Sequence, residues 1–218
     1  MDVLFSFRGD HLYQGARPVL TDLTLTVQPG EKVALLGRSG VGKSTLLGAL
    51  RRQHATQVAW CPQDGALVPM LSAFHNIYMG ALPRHGVGYS LLNLVWPQPR
   101  ERQAIHALAQ QLGIEDCLRV SIDRLSGGQA QRVALGRALY TRRPVLLGDE
   151  PVSSVDEYQA QRLLALALSQ HDSAVVALHD RSLALTCFDR VLGLRDGALV
   201  LDAPTSGLTL ADLDALYA

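Results

Sequence analysis

Residues 37–44 read GRSGVGKS, a G-x-x-x-x-G-K-[ST] spacing that suits a phosphate cradle. Gly37, Gly40 and Gly42 let the backbone turn without Cβ clashes. Successive N–H groups can then point inward as an anion nest, and the following helix adds its positive end. Lys43 can reach the β- and γ-phosphates of a nucleotide, and the Ser44 hydroxyl can hold Mg²⁺. KVALL at 32–36 suits a buried strand and STLLGAL at 44–50 a helix, so the loop has the strand–loop–helix setting it needs. That setting outweighs the plainer reading, a Gly-rich turn beside a surface lysine. Nucleotide contacts are expected along the whole run, from Gly37, Arg38, Ser39, Gly40, Val41, Gly42, Lys43, Ser44 and Thr45. Kinases and GTPases share such a loop, so the loop alone does not name the reaction.

A second group of reactive residues closes two further apolar runs. VLLGDE at 145–150 ends in paired acids. In a parallel sheet, the C-terminal ends of the strands are where ligands bind. Asp149 is the candidate for holding Mg²⁺ through water, and Glu150 for orienting or deprotonating an attacking water. Two solvated acids at a strand end would be the ordinary alternative if the phosphate loop were absent. VVALH at 175–179 ends in His179. A lone histidine there is usually structural, but a strand beside VLLGD would let His179 approach a γ-phosphate.

These residues need a scaffold, and the sequence outlines one. Residues 19–27, 32–36, 57–61, 145–147, 174–178, 191–194 and 198–201 read as strands. The last two pair as a hairpin across Arg195-Asp196-Gly197. Helices are predicted from the Lys43 region to near His54, over 100–112 with Ile105, Leu108 and Leu112 on one face, over 128–139, over 155–169, and from Arg181. Gly113 stops the second of these. Residues 64–99 are apolar but broken by Gly and Pro. Strands alternating with helices predict an α/β fold with a mostly parallel sheet.

The 218 residues carry 20 basic and 20 acidic side chains. That balance offers no basic tail for nucleic acid, and no nucleic-acid partner is expected. The most apolar stretch without Asp, Glu, Lys or Arg runs from Gly65 to Pro83. Pro69, His75, Asn76 and Gly80 interrupt it, so it does not read as a membrane span. The N-terminus does not read as a secretory signal. Cys61, Cys117 and Cys187 are too scattered for a disulfide framework or metal site, which fits a reducing compartment.

LSGGQ at 125–129 lies between the phosphate loop and VLLGDE. With both in place, the chain resembles the ABC ATPase family over essentially its whole length. The resemblance implies a P-loop α/β nucleotide-binding core (residues 1–63 and 130–218), a small antiparallel β part, and a helical lobe over 64–129 ending in LSGGQ. It also implies roles for individual residues. Tyr13, placed before the first paired strands, would stack on adenine. Gln63 would sense Mg²⁺, the water and a membrane partner. Ser126, Gly127, Gly128 and Gln129 would close over ATP bound to a second ATPase subunit. Asp156 would belong to the loop joining the two sites. Lys43, Glu150, His179 and Gln63 would form the catalytic set, with ATP and Mg²⁺ bound; Ser44, Gln63 and Asp149 would hold the metal.

The residues agree with part of this on their own. Ser126 can cap a helix starting near Gly128, and two glycines leave N–H groups open to an anion. A second phosphate nest has no use within one chain, so a dimer is expected, with two-fold symmetry if the partner is identical.

The stretches DEPVSSVD, SLLNLVW and LRDGALVLDAPTSGLT are similar to the ATPase subunits of phosphonate importers. That implies transmembrane permease partners docking on the 67–96 lobe, a substrate-binding protein in the same system, and a peripheral place on the cytoplasmic face of the inner membrane. An exporter motor and a soluble ABC ATPase of repair or translation are the alternatives. The latter generally carry long coiled-coil insertions or tandem cassettes, which this chain lacks.

One departure stands out. Lys43 and Gln63 are only twenty positions apart, shorter than the interval usual in that family. The expectation is a first-lobe sheet smaller by about two strands, a direct run from the Lys43 helix into residues 57–61, and unpaired backbone near residues 21–27.

Overall fold

The computed structural model describes residues 3–217. β1 (Phe5–Gln14) and β2 (Arg17–Val27) form a two-stranded antiparallel hairpin. Its register runs from Phe5 opposite Val27 to Gln14 opposite Arg17. Tyr13 therefore lies within the first paired strand, opposite Pro18, and not before it. The period-two signal of β1 is broken by register shifts between Phe7 and Leu12, where Gly9 takes a positive φ of 66°. That irregularity hid the strand from a pattern reading.

The main sheet has six strands in the order β4-β5-β6-β3-β7-β8. These are β3 (Lys32–Leu36), β4 (Val58–Cys61), β5 (Val145–Asp149), β6 (Ser173–Ala177), β7 (Arg190–Arg195) and β8 (Ala198–Pro204). All neighbours are parallel except β8, which runs antiparallel to β7. Alternate residues of β3 face opposite layers, as pleating requires. Val33 and Leu35 pack with the hairpin and α1 (Lys43–Gln53). Ala34 and Leu36 pack toward the remaining helices. With both faces covered, the central strands read as unbroken apolar runs.

Between β4 and β5 the chain forms α2 (Ala73–Tyr78), α3 (Val87–Val95), α4 (Pro99–Leu112) and α5 (Gly127–Tyr140). Ile105, Leu108 and Leu112 of α4 are buried, and Gly113 ends that helix at φ 64°. After β5 come α6 (Glu157–Ser169), α7 (Arg181–Cys187) and a short α8 (Leu210–Asp214). Among the described residues no helix is long and apolar enough to cross a membrane.

The direct connection is present. α1 ends at Gln53 and β4 begins at Val58, joined by a turn with Gln57 N–H donating to His54 O at 3.0 Å. Arg143 holds that turn through Ala55 O and Val58 O. The expected bare edge near residues 21–27 is partly covered instead. Thr21 N–H donates to Gly197 O, and Arg190 donates to Thr26 O. On β1, the Gln53 amide pairs both ways with the Ser6 backbone.

Candidate nucleotide site

The loop after β3 is shaped by close approach. A Cβ at Gly37 (φ 143°) would lie 2.5 Å from Leu194 O, and one at Gly42 (φ 117°) 2.8 Å from Val19 Cγ1. Only glycine fits both the conformation and the space. Lys43, first in α1, is buried; its Nζ donates to Gly37 O at 2.7 Å and Arg38 O at 3.3 Å. Burial holds its pKa below the usual lysine value, and the carboxylates of Glu150 and Asp149 oppose that shift. A cavity of about 260 Å³ opens here, lined by Gln14, Val19, Ser39, Gly40, Gly42, Lys43, Ser44, Thr45, Gln63 and Glu150.

β5 ends in Asp149, and Glu150, the next residue, reaches this cavity. Asp149 is buried and its Oδ1 has no hydrogen-bond partner. An orphaned carboxylate oxygen whose charge acts on Lys43 fits a hard cation such as Mg²⁺, which takes few protein ligands and keeps several waters. Glu150 follows at φ 53°, an uncommon value for a residue with a side chain. Its N–H donates to Ala177 O at 3.1 Å, and Gln131 Nε2 donates to its carbonyl at 2.8 Å. The carboxylate is bracketed: Oε1 lies 2.6 Å from His179 Nε2, and Gln63 Nε2 donates to Oε2 at 3.4 Å. β5 and β6 are neighbours, so the sheet itself brings His179 to Glu150.

A wider cavity of about 500 Å³ adjoins the loop, lined by residues including Gln14, Arg17, Val19, Arg38, Gly40 and Asp196. Tyr13 is exposed but lines neither cavity, while its neighbour Gln14 lines both.

The remaining predicted site residues stand apart from the phosphate cavity. Ser126 caps α5 in a capping box with Gln129, whose amide also donates to Cys117 Sγ at 3.1 Å. Gly127 and Gly128 open the same helix, and a Cβ at Gly128 would meet Ser154 O at 2.8 Å. Asp156 caps α6 by accepting from Gln159 N–H at 2.9 Å.

Two contributors escaped the sequence reading. Gln131 bonds Glu150 O, Ser153 Oγ and Ser154 N–H, fixing the segment after the acids. Tyr217 accepts from Gly37 N–H at 3.4 Å, with Arg181 stacked over its ring. Neither belongs to a spaced motif; only tertiary folding brings them in.

Known proteins are similar to this chain along most of its length. The ABC transporter family profile matches residues 20–153. The phosphonates import ATP-binding protein PhnC of Anaeromyxobacter dehalogenans is 37% identical over 97% of this chain, which spans 48% of that protein's length. PhnC of Pseudomonas putida is also 37% identical, over 96% of this chain and 88% of its own. The phosphite import ATP-binding protein PxtA of Stutzerimonas stutzeri is 36% identical over 95% and 84% respectively. In fold, the chain matches a bacterial ABC transporter cassette solved as a dimer, with TM-score 0.77 and 22% identity over 93% of this chain and 99% of the other. With its loop, its acids and these relatives in agreement, the chain belongs to the ABC transporter family.

Proposed function

We propose that this chain is the ATP-hydrolysing subunit of an importer for phosphonate or a related phosphorus oxyanion. The observation that carries the hydrolytic part is the Glu150 carboxylate, held by His179 at 2.6 Å and Gln63 at 3.4 Å in the same cavity as the Lys43 nest. The oxyanion reading rests on the relatives' names and on the similar SLLNLVW and DEPVSSVD stretches. Binding phosphates turns Lys43 Nζ from its own loop carbonyls to the β- and γ-oxygens, where it offsets developing charge. The loop N–H groups hold the same oxygens, and Tyr13 lies against adenine. Ser44, Asp149 and Gln63 would hold Mg²⁺, which would neutralise phosphoryl charge when bound. Glu150 accepts a proton from the attacking water. His179 keeps the carboxylate oriented and then turns to the γ-phosphate.

Ser126–Gln129 serve a partner's nucleotide, since they lie outside this chain's own phosphate cavity. ATP then closes two subunits face to face and hydrolysis opens them, so the nucleotide biases a two-state pair. In this reading residues 64–129 form the lobe that meets a permease. A groove of about 580 Å³ lined by Phe74, His75, Trp96 and Leu118 is the docking place. Ile77 and Tyr78, from the same charge-free run, are buried and serve the core.

Glu150→Gln tests the chemistry. It should keep MgATP binding and lower turnover by about 10²-fold or more, the effect of losing a general base. The same variant should sediment as a dimer with MgATP. Wild-type rates would remove Glu150 from the base role. A monomer at saturating MgATP would refute the homodimer.

A further inference from the structure

Gly37, which opens the phosphate loop, is held from two sides. Lys43 Nζ donates to its carbonyl at 2.7 Å, and its own N–H donates to the Tyr217 hydroxyl at 3.4 Å. In the proposed cycle the phosphates draw Lys43 off that carbonyl, so of these two contacts the phenol is the one that remains with nucleotide bound. Tyr217 sits on a stiff mount. Leu213 of α8 is buried, and so is Leu216, packed so closely on β7 that a Cβ at Gly193 would lie 2.6 Å from Leu216 Cδ2. Between them, Ala215 O accepts from Arg195 Nη1 at 3.0 Å.

The ring of the same tyrosine carries Arg181, whose guanidinium carbon lies 5.2 Å from the ring centroid, within reach of a cation–π attraction. Arg181 also pairs with Asp214 of α8. It opens α7 two residues past His179. Asp180, between them, caps that helix by accepting from Ser182 N–H at 2.7 Å and Leu183 N–H at 3.1 Å. That leaves little slack between Arg181 and His179, whose Nε2 lies 2.6 Å from Glu150 Oε1. The phenol thus stands between two parts of the site. Burial pushes it above its ordinary pKa, the Gly37 N–H and Arg181 act downward, and the carboxylates of Glu150 and Asp180 act upward.

We propose that Tyr217 and Arg181 are positioning residues for hydrolysis: the phenol hydroxyl sets the phosphate loop, and the ring, through Arg181, sets the His179 segment. Nucleotide binding and the orientation of the Glu150–His179 pair then share one side chain, carried by a segment outside the spaced motifs. The proposal rests on reading that pair as hydrolytic and adds a link that neither the loop spacing nor the strand order supplies. The two halves are separable, because the hydroxyl acts on binding and the ring on turnover.

The full chain is compared with Tyr217→Phe, Tyr217→Leu, Arg181→Gln and the double variant of the last two. Kd is measured for a fluorescent ATP analogue in chelator, so that nothing is hydrolysed, and kcat at saturating MgATP. Tyr217→Phe keeps the ring, so it should raise Kd about two- to tenfold and act on binding alone. Tyr217→Leu should raise Kd at least as much and also lower kcat about three- to tenfold, a fraction of the cost of a 1 Å misplacement. Arg181→Gln should lower kcat by the same factor and raise Kd about two- to fivefold, the size of a lost cation–π contact. The double variant should match Tyr217→Leu in both constants, because Arg181 acts through the ring. A merely structural role would give losses that add in the double variant, and additive losses overturn the proposal. So does a Tyr217→Leu kcat equal to wild type, or a Tyr217→Phe kcat as low as that of Tyr217→Leu. Should Tyr217→Leu fail to fold, Arg181→Gln decides, and unchanged Kd and kcat overturn the link. The hydrolytic reading fails separately, if Glu150→Gln turns over at the wild-type rate; the Kd comparison needs no hydrolysis and still judges whether Arg181 reaches the phosphate loop through Tyr217.

Discussion

Asp149 can be tested through a trade between stability and function. Its Oδ1 is buried without a hydrogen-bond partner, and such a group costs about 1–3 kcal/mol. Asp149→Asn keeps the side-chain shape and removes the charge, so it should recover about 1–2 kcal/mol of that cost in the ligand-free chain. For a chain of this length each kcal/mol moves the melting temperature by about 2–4 °C. The ligand-free variant should thus melt about 2–8 °C above wild type. The gain reverses with nucleotide. A ligand at a hundred times its Kd adds about 2.7 kcal/mol, and the part that depends on Mg²⁺ should vanish in the variant. The assay is thermal unfolding of both proteins alone, with ATP and chelator, and with MgATP. A ligand-free variant that melts below wild type would refute the strained-oxygen argument. An undiminished magnesium increment would refute the metal role.

Three further outcomes follow from single contacts. Gly128→Ala puts a Cβ 2.8 Å from Ser154 O; if LSGGQ meets a partner's nucleotide, ATP-dependent dimerisation measured by sedimentation should weaken by about tenfold while the monomer stays folded. Tyr217→Phe removes only the hydroxyl that Gly37 N–H reaches. A hydrogen bond of that kind contributes about 0.5–1.5 kcal/mol, so KM for ATP should rise about two- to tenfold with kcat nearly unchanged; the reverse split would assign Tyr217 to chemistry. His171 is buried, with Nδ1 against Ala167 O at 2.7 Å, and burial holds its pKa below the ordinary value. The unfolded chain therefore takes up a proton first as pH falls through about 6.5, and stability drops below that pH. His171→Asn should flatten the fall in melting temperature between neutral and mildly acid pH, and an unchanged slope would place the effect elsewhere.

The parts legible in the sequence were those whose chemistry is local. KVALL could be read as a two-sided strand because both its faces are covered by apolar layers. GRSGVGKS could be read because a phosphate nest requires glycine at fixed spacing. What stayed hidden depended on contacts across the chain. β1 breaks its own alternation at Gly9 and Asp10, so period two never appears. The α3 segment does have helical spacing, but its apolar side faces outward, against the rule that such a stripe marks the core. Gln131 carries no motif, and its role rests on bonds to Glu150 O and Ser154 N–H. Tyr13 was misplaced by one element for the same reason as β1.

The short interval before Gln63 first suggests a site put at risk, because a misplacement of 1 Å can cost about 10²-fold in rate. The sheet removes most of that risk. β4 pairs with β5 in continuous parallel register, Val58 with Val145 through Cys61 with Gly148. Gln63 is two residues past that last pair, and Asp149 one residue past it. Its position relative to the acids is therefore fixed by the β4–β5 ladder, downstream of whatever joins α1 to β4. A shorter turn changes only how the chain arrives at the ladder, and Arg143 holds that arrival by two carbonyls. The short turn bears instead on the antiparallel part, which is a single hairpin. There the side-chain amide of Gln53, the last residue of α1, pairs both ways with the Ser6 backbone. The short turn thus bears on the stability of the hairpin, and through Val19 and Gln14 on the nucleotide cavity it borders, while leaving the Gln63–Glu150 geometry to the parallel core.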